Sequence, residues 1–248
     1  MWAFSLEGRV FDIDGRKLKI EEQLSEVLDP RFGQRHVLAK TRNIDNKRPS
    51  LLKIRYQLNP KDFDFEDPEE VLELAEQHYC HEVDATVLLA KAGLGPQYLT
   101  HETHYQPEWM PFPDGYVDLI VMKPPPGENV DEIQDELTDR QLASIRTQLA
   151  HILETMRNKS YKLIEQHPSY LNYDARTNKL YLIDLEGLGF IDPTSRTSFP
   201  VDEESPYVEA FNIWRAPYRK VEKEPESGKG MASYNRSTKM KSRPPWRT

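Results

Sequence analysis

The clearest pattern of hydrophobic and polar positions lies in the second half of the chain, where apolar residues recur every three or four positions. Thr138 precedes this run and Gln141 follows three residues later, which is the spacing of a capping box. The recurrence predicts a long amphipathic helix that ends near Lys159. Its apolar stripe consists of Leu142, Ile145, Leu149, Ile152, Leu153 and Met156.

A second helical pattern runs from Asp67, which is placed to cap the helix, to Gly93, which is placed to end it. Glu82 falls on or near the inward stripe of this helix, where a carboxylate without a partner is costly. Lys53 is the partner that the sequence suggests. The stripe consists of Val71, Leu74, Ala75, His78, Glu82, Ala85, Leu88 and Leu89.

Ahead of this helix, short apolar runs alternate with turns, which predicts three antiparallel strands between Ile20 and Tyr56. Lys53 lies in the third strand, and the period of two places Arg55 on the same side. Taken alone, a lysine in a strand is more often an exposed residue on a sheet face than a ligand-binding one. Residues 1–19 fit either two short strands or an N-terminal arm.

The most apolar strand pattern in the chain is Tyr116–Met122. The segment Lys123–Gly127, which contains three consecutive prolines, then ends it abruptly. Proline fixes the backbone and offers no donor, so this segment predicts a stiff connector. We therefore place a boundary here, between residues 1–122 and residues 123–215.

The segment Glu165–Phe190 predicts a hairpin that ends in two carboxylates. Asp174–Asn178 has the residues of a turn, and Leu180–Ile183 reads as a buried strand. Asp184 follows this strand directly and Glu186 lies two residues further on. A carboxylate at the end of an apolar strand needs a cation or hydrogen-bond donors, and the second carboxylate doubles that need.

Composition narrows the class of protein. The 248 residues carry a net charge of −8 with 38% hydrophobic residues, so one medium domain or two small lobes can form a core. Cys80 is the only cysteine, which suits a reducing compartment. With neither a secretory signal nor an apolar run of membrane-spanning length, we expect an intracellular protein, cytoplasmic or nuclear, without a membrane partner.

Charge is unevenly distributed along the chain. Residues 216–248 hold nine Lys or Arg against three Glu, and the rest of the chain has a net charge near −14. This composition predicts a disordered basic tail. Nucleic acid is an unlikely partner for the acidic body, and only the tail offers a contact to nucleic acid or to an acidic protein.

A metal site is the competing interpretation of the histidines. His78, Cys80 and His81 lie close together, and His101 and His104 follow the second helix. Neither group reproduces a recognised zinc spacing. We therefore expect surface or half-buried histidines.

The order of these elements resembles the protein-kinase-like fold, and more narrowly the small kinase-like proteins abundant in fungi. Tyr173-Asp174 and Ile183-Asp-Leu-Glu-Gly187 match the end of their catalytic segment closely. The resemblance covers roughly residues 20–191. It implies an α+β, protein-kinase-like two-lobe fold, in which residues 1–122 form an antiparallel-sheet N-lobe and residues 123–215 a truncated, mainly helical C-lobe.

The resemblance also implies ATP and Mg²⁺ as cofactors, because phosphoryl transfer needs cations arranged around phosphate oxygens. Lys53 would hold the nucleotide phosphates and Glu82 would pair with Lys53. Asp184 would bind the metal ion. The residues that would face the adenine are Val121, Met122 and Lys123.

Three departures from the family pattern affect this interpretation. The catalytic aspartate position falls on Glu165 and the metal-binding asparagine position on Tyr170, so Asn172 would replace the latter only in a reshaped loop. The phosphate-covering loop has a single glycine, Gly33. After Gly187, the activation loop and the large helices of the lower lobe are missing or vestigial.

Three functions remain open from the sequence. The first is a pseudokinase that binds nucleotide and acts as a scaffold or regulator of an unidentified protein partner. The second is an active, atypical phosphotransferase with Glu165 as base and Asp184 as metal ligand. The third is an unrelated α+β interaction module in which Lys53, Glu82 and Asp184 form only a buried charge cluster. In the first two functions, Lys53 and Glu82 should pair and face Asp184 across a cleft.

Overall fold

A six-stranded antiparallel sheet dominates the first half of the protein in the computed structural model, which describes residues 2–213. Its strands are β1 (Val10–Ile13), β2 (Arg16–Asp29), β3 (Gln34–Asn43), β4 (Pro49–Gln57), β5 (Gln97–Tyr105) and β6 (Tyr116–Lys123). Their spatial order is β1-β2-β3-β4-β6-β5. The predicted strands between residues 20 and 56 are confirmed, and β5 forms an edge of the sheet.

The N-terminal residues form a hairpin, the first of the two alternatives that the sequence left open. Val10 pairs with Lys19 across the hairpin. The turn contains Asp14 and Gly15, with φ of 52° and 68°. Both residue types tolerate this left-handed region, which a tight hairpin turn requires.

Helix α1 (Pro68–Ala92) follows β4 after a short 3₁₀ turn, Pro60–Asp62. The Asp67 side chain accepts hydrogen bonds from the backbone N–H groups of Glu69 and Glu70, and Gly93 ends the helix with φ of 68°. The predicted cap and end of this helix are confirmed.

Within the described residues, the second half has one long helix, α3 (Asp139–Arg157), among short elements. Thr138 and Gln141 form the predicted capping box of α3, which ends two residues before the predicted position. The predicted hairpin is also present, with Asp174 opposite Lys179. The elements are β7 (Glu128–Asn129), α2 (Val130–Ile133), α3 (Asp139–Arg157), β8 (Tyr161–Leu163), a 3₁₀ turn (Pro168–Tyr170), β9 (Leu171–Asp174), β10 (Lys179–Leu182), β11 (Leu188–Phe190) and α4 (Pro206–Glu209).

The buried apolar residues of the described range form three clusters. One covers the face of the sheet that bears Leu52 and Val121. A second fills the space between the other face, α1 and Ile183. The third surrounds α3 and includes residues of β9 and β10, and it also takes in Leu89 of α1. The antiparallel sheet and the separate helices make this an α+β protein.

The described residues belong to one compact unit, and the division into two lobes at residue 122 stays a prediction. The predicted basic tail, residues 216–248, lies outside the described residues. Within residues 2–213, none of the helices is both long and apolar enough to cross a bilayer.

Candidate functional site

Strand β4 brings two cations to one face of the sheet. Seven consecutive residues of this strand, 50–56, are buried. Lys53 and Arg55 alternate with apolar residues that belong to the opposite face, as the strand period requires. Because buried charges are costly without partners, each of these cations needs a carboxylate nearby.

Lys53 is held by both carboxylates of the segment that follows β10. Its ammonium nitrogen lies 2.6 Å from Asp184 Oδ1 and 2.9 Å from Glu186 Oε2. His36 of β3 adds a further contact, with Nδ1 3.0 Å from Glu186 Oε1. The four residues are 2–4% exposed. The sequence-based inference that Asp184 and Glu186 need a cation is therefore confirmed.

The backbone around Gly187 positions these two carboxylates. Asp184 and Glu186 alternate with Leu185, which packs into the cluster around α3. Gly187 then turns the chain with φ of 68°, and a Cβ there would lie 3.1 Å from the backbone nitrogen of Glu165. Any other residue at this position would be strained and crowded.

Arg55, and not Lys53, pairs with Glu82. The Arg55 Nη1 atom lies 3.2 Å from Glu82 Oε2, and Arg55 Nη2 also donates to the carbonyl of Ala75. The predicted Lys53–Glu82 pair is therefore wrong. Two carboxylates already surround Lys53, whereas the fully buried guanidinium of Arg55 would otherwise lack a counter-ion.

The pKa values of the cluster follow from burial and from these pairs. Burial alone would lower the pKa of Lys53, but Asp184 and Glu186 raise it above its ordinary value. Burial raises the pKa of Asp184, and Lys53 only partly opposes this. Burial also acts to raise the pKa of Glu186, yet Lys53 and His36 together bring it well below the usual range. Glu186 is thus the more acidic of the two carboxyl groups.

The cavity beside this cluster is too small for a nucleotide. It has a volume of about 10 Å³ and is lined by Lys53, Asp184, Ile120 and Met122, among others. This volume corresponds to roughly one water molecule, whereas ligand pockets measure about 300–1,000 Å³. Lys53 and Asp184 therefore converge as predicted, but the predicted cleft between them is closed.

Only one of the three residues predicted to face adenine lies on the face of Lys53. Met122 lines the small cavity beside Lys53. Lys53 pairs with Ile120 in the sheet, so alternation places Val121 on the opposite face, where it packs with Leu52. Lys123, at the end of β6, is exposed. The prediction that Val121, Met122 and Lys123 share one ligand is corrected accordingly.

The predicted metal and base positions do not complete a magnesium site. Asn172 lies in β9 opposite Asn129 and Tyr181, and Glu165 is exposed beside Gly187. The Asp184 carboxylate already holds Lys53. No group of three or more His, Cys, Asp or Glu side chains in residues 2–213 is arranged to hold a metal ion. The side chains present therefore do not fit Mg²⁺.

The loop that was predicted to cover phosphates packs against the protein. Gly33 has φ of 58°, and a Cβ there would lie 3.0 Å from the ring of Phe65. Phe32 lies against His78 of α1, with 5.3 Å between ring centroids. His78 is itself buried and its Nε2 lies 2.7 Å from the carbonyl oxygen of Leu188, so α1 is joined to β11. This loop is therefore packed against the segment before α1 and against α1 itself.

Comparison with known proteins yields structural matches alone. No protein-family model and no curated protein matches the sequence. Among solved structures, the kinase PK-1 of the Cydia pomonella granulovirus matches 70% of this chain at 14% identity, with a TM-score of 0.45. Vaccinia related kinase 3 matches 79% at 15% identity, with a TM-score of 0.48. The chain spans 53% and 55% of these two structures, so the activities of the whole proteins are not carried over to it.

His36 is the member of the cluster that sequence reasoning missed. It lies opposite Arg55 in the sheet and therefore on the same face as Lys53. The alternation of β3 was the available signal, because His36 and Leu38 share one face. Without the pairing register, however, no sequence pattern directs that face towards Glu186.

Proposed function

We propose that this chain is a kinase-like pseudoenzyme whose nucleotide cleft is closed by its own side chains, and that it acts as a scaffold or regulator of another protein. One observation carries the proposal. Lys53 is bound by Asp184 and Glu186 in a space of about 10 Å³. Displacing these carboxylates from a buried ammonium costs several kcal/mol, which phosphate would have to supply.

The order of the elements supports kinship with kinases. A strand with a buried lysine precedes a helix with a buried glutamate, and a hairpin after the long helix ends in Asp184. An unrelated α+β module has no requirement for a lysine and an aspartate 131 residues apart to meet. Of the two contacts expected of a kinase-like protein, Lys53–Asp184 is present, whereas Glu82 pairs with Arg55 instead of Lys53. We therefore favour a degenerate kinase-like protein over the unrelated module.

An exposed apolar surface beside β11 supports a protein partner. Phe190 and Ile164 are 48% and 53% exposed. A Cβ at Gly189 would lie 2.8 Å from Ile164 Cδ1, so this side chain covers the glycine next to Phe190. Large contiguous apolar patches mark protein-binding surfaces, and these two side chains are the place on this lobe from which we propose such a surface extends.

A thermal-shift titration with ATP, with and without Mg²⁺, tests the closed cleft, because a ligand that binds only the folded state raises the melting midpoint. We expect no magnesium-dependent shift in the native chain, and no phosphate transfer. Asp184→Asn is the test variant, and Asp192→Asn, outside the cluster, is the control. A magnesium-dependent shift that Asp184→Asn abolishes and Asp192→Asn retains would contradict the proposal and favour the active phosphotransferase.

A further inference from the structure

A second cavity, much larger than the closed cleft, lies at one end of the six-stranded sheet. Its volume is about 620 Å³, within the range of small-molecule pockets. It is formed where β2, β4 and β5 begin and where β3 and β6 end. Leu18 and Val121 in its lining belong to the sheet face opposite Lys53. The cavity is therefore separate from the Lys53–Asp184 cluster.

The charged side chains that line this cavity are all positive. Among residues 2–213, these are Arg16, Arg48 and Lys123, and no carboxylate of that range lines the cavity. The chain outside residues 216–248 carries a net charge near −14. A cavity lined by three cations is therefore opposite in charge to the rest of this part of the protein. Such a reversal favours an anionic ligand.

Two of these cations are available to a ligand. Within residues 2–213, the side chains of Arg48 and Lys123 make no hydrogen bond or ion pair, and both residues are exposed. Arg16 has a loose partner in Asp14, at 3.5 Å, and both side chains are largely solvated. A pair of this kind contributes little, so an anion competes with it readily.

Two asparagines of the β3–β4 turn add neutral donors. The Asn43 side-chain oxygen accepts from the backbone N–H groups of Asp45 and Asn46. The Asn46 side-chain oxygen accepts from the backbone N–H group of Arg48. Because these oxygens are engaged, the NH₂ groups remain to donate to a ligand. Phosphate, with several acceptor oxygens, suits such a mixture of guanidinium, ammonium and amide donors.

The apolar part of the lining indicates that the ligand has more than an anionic group. Leu99 is 38% exposed, and the accessible side chains of Pro49 and Pro124 also line the cavity. Inorganic phosphate would leave this apolar surface and most of the volume unused. A ligand with a planar or apolar body satisfies both parts of the cavity.

We propose that this cavity binds a small organic phosphate of nucleotide size, with its phosphate at Arg48 and Lys123 and its body against Pro49, Leu99 and Pro124. No metal ion takes part in this binding. The proposal is independent of the closed cleft, because no residue lines both sites. Strand β6 contributes to both, but through different side chains.

Titration calorimetry with AMP in buffer containing EDTA tests the site. The test variant is Arg48→Ala/Lys123→Ala, and the matched control is Lys17→Ala/Lys19→Ala, which removes two exposed cations from β2 outside the cavity lining. We expect the test variant to bind AMP at least about tenfold more weakly than the native chain, since hydrogen bonds to charged groups are lost. The control should bind as the native chain does.

Two further measurements make the result decisive. Leu99→Asp, which places a carboxylate against the apolar lining, should abolish AMP binding. This variant tests the site independently if Arg48→Ala/Lys123→Ala folds poorly. The melting midpoint of each variant without ligand reports its folding. Inorganic phosphate should bind at least about tenfold more weakly than AMP, because it lacks the apolar body.

Three outcomes would overturn the proposal. They are no AMP binding by the native chain, equal weakening in the test and control variants, and inorganic phosphate binding as tight as AMP. A nucleotide that binds through Asp184, with loss in Asp184→Asn and none in Arg48→Ala/Lys123→Ala, would also overturn it. That last result would at the same time contradict the closed cleft, whereas the first three leave the proposed function intact.

Discussion

The ammonium nitrogen of Lys53 lies 2.6 Å from Asp184 Oδ1, although 131 residues separate the two in sequence. Both side chains are almost fully buried. The contact joins the centre of the six-stranded sheet to the segment after β10. Lys53 therefore serves as an internal counter-ion, and this role leaves little of its charge for a ligand.

Replacing Lys53 by methionine should destabilise the protein by about 3–5 kcal/mol, because Asp184 and Glu186 would remain buried without their cation. Chemical denaturation measures the free energy of unfolding. Lys40→Met is the control, since Lys40 pairs with Glu22 at the surface and should cost at most about 1 kcal/mol. Equal costs for the two variants would show that the Lys53 cluster is not buried as described.

The exchange of partners between Lys53 and Arg55 is testable with double-mutant cycles. Glu82→Gln combined with Arg55→Met should give a coupling energy of about 1–3 kcal/mol, because the two side chains are in contact and buried. Glu82→Gln combined with Lys53→Met should give a smaller coupling, because no direct contact is lost. A larger coupling energy for Glu82 with Lys53 than for Glu82 with Arg55 would support the Lys53–Glu82 pair that the sequence suggested.

Asp118 makes native stability depend on pH. Burial raises its pKa to about 6, although Thr103 donates a hydrogen bond to its carboxylate. A carboxyl group whose pKa is higher in the folded state destabilises the protein above that pKa, and the cost is relieved as pH falls from about 6 towards 3.8. Asp118→Asn should therefore be more stable than the native chain at pH 7.5, by about 2 kcal/mol.

The measurement for Asp118 is the difference in free energy of unfolding between variant and native chain at several pH values. The difference should shrink as pH is lowered from 7.5 to 4, since the native carboxyl group then becomes neutral as well. Asp14→Asn, at an exposed turn, is the control for replacing an aspartate by asparagine outside the interior of the sheet. A difference for Asp118→Asn that is constant with pH would contradict the raised pKa.

The helices were predictable because their signals are local. Thr138 and Gln141 mark the start of α3, and Asp67 and Gly93 bound α1 within a few residues. The need of Asp184 for a cation was also readable, since the cost of burying a carboxylate does not depend on the fold.

The partners of the buried charges were harder to predict. Lys53 and Arg55 share one strand face, and the rotation of α1 about its axis decides which of them meets Glu82. The position of His36 depends on the pairing register of β3. Closure of the cleft depends on side-chain packing from several elements, including Met122 of β6 and Ile183 after β10. The rotation of a helix, the register of a strand and packing between distant elements cannot be predicted from a local sequence pattern.

Glu154 and Arg157 hold the segment 193–201 against α3, and this contact gives the last prediction. Glu154 accepts two bonds from Arg157 at 2.7 Å and one from the backbone N–H of Val201 at 2.9 Å. Arg157 in turn donates to the carbonyl of Pro193. Glu154→Ala should release this segment, at a cost of about 1 kcal/mol because solvent screens the pair.

Limited proteolysis and amide hydrogen exchange of residues 193–201 measure the release. Glu73→Ala, on the exposed side of α1, is the control and should leave the segment protected. The Arg157 guanidinium lowers the pKa of Glu154 to about 2, so its contribution is complete above about pH 4.5 and is lost as pH falls through about 2. If the segment stays protected in Glu154→Ala, the apolar contacts of Val201 with the cluster around α3 are sufficient to hold it.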